Sequence, residues 1–260
     1  MDRIKKTWAI GIVFVITLVI NALGAIGLIN GLSQKEISDR FITLITPSSS
    51  TFSIWSLIYS LLLLSIILLV VKRKDPYYQK ATDEIAGLFI VSGLLNIIWI
   101  VSFSFVLVEL SLLFILGFVI VLAMLNQKLL AIRQNNRWIL PLAFGFYNGW
   151  LFIATVVNAA AALVKVKWNR FGLAEDIWGI IILIVALVLV FLVLSKLKNA
   201  SFPLPVAWAY FGIYQYLKAP EGFKGVYGSL ETVALAGAAV LVAMAAFQFV
   251  KNKYSLLPKA

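Results

Sequence analysis

The residues of this sequence that could do chemistry in an apolar phase are uncharged: tryptophans, tyrosines and asparagines spaced three or four apart. In the stretch from Phe52 to Tyr59, Trp55 and Tyr59 stand at i,i+4 and share one helix face. Each carries a polar hydrogen that needs a partner away from water. Asn96 and Trp99 repeat the pattern at i,i+3. Tyr147, Trp150, Ala154 and Asn158 fall within about 80° of arc at 3.6 residues per turn. Such side chains support recognition, with ring faces for stacking and amide or indole groups for hydrogen bonds. Acid–base catalysis has little to work with. The chain has no His and no Cys, and its eleven acidic residues fall in loops or at helix ends, with Glu109 at a boundary. No P-loop or nucleotide-binding glycine pattern is present. No catalytic set and no metal-ligating set emerges, so an enzyme ranks below a binding protein. Taken singly, Asn96 or Asn158 is best read as an interhelical hydrogen-bonding group. Three helices that each present an aromatic or amide stripe suit a ligand cavity as well as a structural core.

The elements that position these residues are membrane helices. The 260-residue chain is 62% hydrophobic and only 13% charged, with a mean hydropathy of +1.00. That composition predicts an all-α, polytopic helical membrane protein. Eight apolar segments can be cut, at about 7–29, 52–71, 85–108, 110–126, 138–164, 177–195, 202–217 and 230–250, against roughly 20 residues per span. The fourth and seventh are short. The first has no small-residue cleavage site after it and reads as a retained helix. The net charge of +11 lies in clusters between apolar runs, a topology signal rather than a nucleic-acid surface. Under this cut 15 Lys and Arg fall on one side and 7 on the other, which predicts both termini in the cytoplasm. Span interiors nearly free of ionisable residues argue against an ion-coupled pump, and no internal repeat marks a secondary transporter. Trp8, Trp138, Trp168 and Trp178 lie near span ends and read as interfacial anchors. Pro141, near the start of the fifth segment, is a candidate bend. The outer loop at about 30–51 opens on Ser33-Gln34-Lys35-Glu36, a capping-box pattern, followed by Phe41, Ile42, Leu44 and Ile45. An amphipathic turn over the bundle mouth and one lying on the bilayer surface fit it equally.

In this order the motifs resemble the tryptophan-rich sensory protein family, which includes the mitochondrial translocator protein or peripheral benzodiazepine receptor. A Pro-containing outer loop leads into Trp-x3-Tyr, here Pro47, Trp55 and Tyr59. Asn-x2-Trp follows at Asn96 and Trp99, then Trp-x3-Ala-x3-Asn at Trp150, Ala154 and Asn158. The resemblance covers residues 1–164 and implies a five-helix ligand-binding bundle there, with about three further transmembrane helices over 165–260. It implies a cavity closed by the first outer loop, with Pro47 in the lid and the motif residues on the wall. The implied ligands are apolar and planar, tetrapyrroles such as protoporphyrin or haem. No cofactor is obligatory. The chain departs from the family pattern at Pro47-Ser48-Ser49-Ser50, where paired prolines and a Trp are usual. With no His or Cys and only Met1, Met124 and Met244, haem iron has few axial ligands to draw on, so ring stacking is the expected mode of retention. The expected function is thus a membrane receptor or binding protein with a sensory or transport role. A transporter of a neutral or amphipathic solute ranks second, and a porphyrin-degrading enzyme, from family analogy alone, third. Expected partners are a small apolar ligand and the lipid bilayer, with a homodimer allowed and nucleic acid excluded. No organelle-targeting segment is visible, so the plasma membrane is expected ahead of the mitochondrial membrane.

Overall fold

Capping chemistry and apolar runs set the helix limits. The computed structural model describes residues 2–259, and among them are nine α-helices. They are α1 Arg3–Ala25, α2 Gln34–Arg40, α3 Ile54–Val71, α4 Pro76–Ser104, α5 Val108–Ala131, α6 Ile139–Lys165, α7 Glu175–Leu197, α8 Pro203–Lys218 and α9 Gly228–Lys251. α4 starts at Pro76, well before the apolar run, because Asp75 accepts a hydrogen bond from the Tyr77 N–H and Pro76 occupies the first turn. Pro141 also sits in a first turn, where no N–H is missed, and α6 runs unbroken to Lys165. α2 is the helix of the outer loop, and its capping box is complete: Ser33 Oγ accepts from the Glu36 N–H and Glu36 accepts from the Ser33 N–H.

Side-chain ties show how the helices alternate. At one end Arg3 and Lys6 pair with Asp83, joining the starts of α1 and α4. Arg137 pairs with Asp75 and lies over the rings of Tyr77 and Tyr78, joining the start of α6 to the same place. Asn199 Nδ2 donates to the Pro141 carbonyl at 2.8 Å, and Asn252 Nδ2 donates to the Lys198 carbonyl at 2.8 Å. The ends of α7 and α9 and the start of α8 therefore gather here, with both termini. At the opposite end, Lys165 pairs with Glu109, and Asn30 Nδ2 donates to the Ser104 carbonyl. This is the lid end, reached by the outer loop, α2 and the start of α3.

Seven helices, all but α2 and α8, are long and apolar enough to cross a membrane. α8 has 16 residues, about 24 Å of helix against roughly 30 Å of hydrocarbon. It still runs from the terminal end toward the lid end, since the Gly212 carbonyl accepts from the Ser48 N–H of the lid loop. Its length is made up by loop: the Phe223 and Gly225 N–H groups bond back to the Tyr216 and Leu217 carbonyls. α8 is packed between α6 and α9 and buries Val206, Ala209, Tyr210, Gly212 and Ile213. A buried helix need not match the bilayer by itself.

Candidate functional site

The aromatic stripes of α3, α4 and α6 converge at the lid end. Trp55 is the hub. It stacks on Tyr59 (centroids 5.1 Å, interplanar 16°) and meets Tyr147 and Trp150 edge-on at 6.3 and 6.1 Å. Phe52 meets Trp150 edge-on as well. Above this cluster lies a cavity of about 320 Å³. Of the residues singled out from sequence, Trp55, Trp99, Trp150, Ala154, Asn158 and Pro47 line it.

The remaining three lie outside the lining, and two of them, Asn96 and Tyr147, form a buried polar knot with a partner that spacing did not reveal. Asn96 is fully buried; its Nδ2 donates to Tyr147 Oη at 2.9 Å and its Oδ1 accepts from Asn21 Nδ2 at 2.7 Å. Three helices, α1, α4 and α6, are thereby tied together. Tyr59 stacks beneath Trp55, and its hydroxyl finds no acceptor. Asn158, though on the wall, is also tied sideways: its Nδ2 donates to Ser111 Oγ of α5 at 3.2 Å. An Asn in an apolar α1 was the available signal for Asn21.

The lid is built from α2 and the loop that follows. Gln34, Lys35 and Ser38 line the cavity, so the outer loop lies over the mouth rather than on the bilayer. Ile37, Leu44 and Ile45 anchor it, each no more than 2% exposed. Lys35 is paired with Asp39 along α2. The Ser33 N–H and hydroxyl hold the Glu36 carboxyl below its ordinary pKa. The far stalk of the lid is gripped by α8: Trp208 Nε1 donates to the Thr51 carbonyl at 2.9 Å. Ala209 of α8 joins the wall, while α5 contributes none of the lining. The cavity thus uses a helix beyond the first five spans and omits one within them. Gln34, Phe52, Phe103 and Ala209 were not foreseen; Phe52 and Phe103 stand at helical spacing from Trp55 and Trp99, a signal left unused, while tertiary packing brings Ala209 to the wall.

Among the described residues, three lining groups are buried donors without acceptors: the indole N–H groups of Trp99 and Trp150 and Nε2 of Gln34. Burial of an unpaired donor costs about 1–3 kcal/mol. The arrangement can hold an apolar, ring-containing molecule that brings its own acceptors.

A family model described as TSPO-like protein matches residues 7–247, beyond the helices that carry the motifs. No curated protein and no solved structure matches.

Proposed function

The chain belongs to the TSPO-like protein family, and we propose that it is a membrane receptor or binding protein for a planar, apolar ligand, with a sensory or transport role. One observation carries the reading: a cavity of about 320 Å³ walled by Trp55, Trp99 and Trp150, two of whose indole N–H groups have no partner. Ring faces supply stacking, and the free donors meet carbonyl or carboxylate oxygens. A tetrapyrrole such as protoporphyrin offers both. The cavity lies at the lower end of the about 300–1,000 Å³ usual for ligand sites. A four-ring ligand is therefore held with the lid displaced, and a smaller aromatic one beneath it. Binding rather than open passage is supported by the floor, where Trp55, Tyr59 and Tyr147 pack ring on ring and Asn96 ties the helices. The 15-to-7 bias of Lys and Arg supports a cytoplasmic terminal end.

The test is titration of the protein in mild detergent with protoporphyrin, followed by tryptophan quenching. Saturable quenching at one site per chain is expected. Quenching that grows linearly with ligand, as for partition into the micelle, would remove the tetrapyrrole from the reading.

A further inference from the structure

A second cavity, of about 300 Å³, lies at the lid end between α6, α7 and the lid loop. Its apolar wall comes from Leu163 and Val164 of α6, Ile182 of α7 and Leu44 and Ile45 of the loop. Trp168 and Trp178 meet at 4.8 Å between centroids and line it together. Three charged side chains line it too, Lys167, Arg170 and Glu175, and among the described residues none of them is in an ion pair. Arg170 Nε is buried without an acceptor. Glu175 stands in the first turn of α7, where the helix N-terminus already favours its charge.

The connection between α6 and α7 is shaped to bring those cations in. Lys167, Arg170 and Phe171 all adopt positive φ, 55°, 56° and 55°, without being glycine. Asn169 holds the turn by accepting from the Phe171 N–H. Strained backbone of this kind gathers at ligand clamps. Around the cavity Val166 and Phe171 are 56% and 77% exposed, and Ile177 is exposed beside them. In a membrane that rim faces acyl chains and headgroups, not bulk water.

We propose that this cavity binds a phospholipid with an anionic headgroup. Lys167 and Arg170 take the headgroup, Trp168 and Trp178 sit at the interfacial level, and an acyl chain lies along Leu163, Val164 and Ile182. The site is separate from the tryptophan-walled cavity and does not depend on the ligand proposed for it. The two share the lid loop as a common wall: Thr43 to Ile45 face this one and Pro47 the other.

The experiment titrates phosphatidylglycerol, and in parallel phosphatidylcholine with the same chains, into the protein in mild detergent and counts bound lipid by native mass spectrometry. One tightly held phosphatidylglycerol is expected, with phosphatidylcholine weaker. Lys167→Gln with Arg170→Gln should weaken phosphatidylglycerol roughly 10- to 30-fold, from about one membrane-surface charge interaction per residue. Lys218→Gln with Lys224→Gln, basic residues at the same end but outside the cavity, should leave it unchanged. Leu163→Trp fills the cavity without altering charge and should remove the tight site even if the double variant folds poorly. Equal loss in both charge pairs, equal retention of the two lipids, or undiminished binding to Leu163→Trp would each overturn the assignment.

Discussion

Trp150 does two things at once: it walls the cavity, and its ring is the edge-on partner of both Trp55 and Phe52. Replacing it with Leu keeps an apolar side chain but removes a stacking face and a free indole donor. Loss of a stacked aromatic costs about 0.5–1.5 kcal/mol beyond area burial, so Trp150→Leu is expected to weaken protoporphyrin roughly 2- to 12-fold. Trp138 is more than half exposed at the terminal end and lies outside the cavity lining. Trp138→Leu should bind as the parent does, and a thermal melt of each variant checks folding. Glu36 sets a pH dependence on the lid. Its folded pKa lies below the unfolded value of 4.5, because Ser33 donates to the charged form from its N–H and hydroxyl. The capping contribution is therefore complete above pH 4.5 and is lost as pH falls through the lower folded value. Proteolysis within residues 30–51 should accelerate over that acid range. Glu36→Gln still accepts from the Ser33 N–H but does not titrate, so it should remove the acid step; an unchanged step would assign it to another group.

At the scale of elements, the lid and α8 form one unit. Gly212 lies so close to the lid stalk that a Cβ there would collide with the Thr51 side chain, and its carbonyl holds the Ser48 N–H. Gly212→Ala should push the stalk away from α8, and limited proteolysis near residues 48–53 should rise while the helical circular dichroism signal stays constant. Cleavage at the parent rate would show that α8 does not hold the lid. This contact also marks where sequence reading stops. Eight apolar runs and the capping box were legible because lipid forces backbone hydrogen bonds into helices and Ser33 and Glu36 stand at fixed spacing. Trp55, Trp99, Trp150 and Asn158 were legible because helical periodicity puts each on an inward stripe. Ala209 has no such mark; only the docking of α8 on α6 brings it to the cavity. Tyr59, Asn96 and Tyr147 show the converse limit, since inward spacing cannot separate a wall from the packed floor beneath it. The buried ties of Asn126 and Asn199, with Nδ2 of Asn199 donating to Oδ1 of Asn126 at 3.2 Å, had a usable signal in Asn126, an amide at the edge of an apolar run.

For the whole molecule, the number of crossings rests on α8, and the compartment that each end of the bundle faces rests on its charge. The ties from Arg3 and Lys6 to Asp83, and from Asn252 to Lys198, put both termini at one end. The α5–α6 connection, with Arg133 and Arg137, lies at that end too. Counted by end, basic residues are 15 against 7, which predicts that this end is cytoplasmic. The natural absence of cysteine permits a direct check. Glu221→Cys, in the exposed α8–α9 loop, should react with a membrane-impermeant maleimide on intact cells. Lys74→Cys and Lys251→Cys, both exposed at the terminal end, should react only after permeabilisation. If α8 failed to cross, Glu221→Cys would be protected and Lys251→Cys would label from outside, because α9 would then run in the opposite direction. Inversion of all three positions would keep the eight crossings and refute the charge rule for this chain. The two failures give different patterns, so three single-cysteine variants separate the geometry of the bundle from its orientation in the membrane.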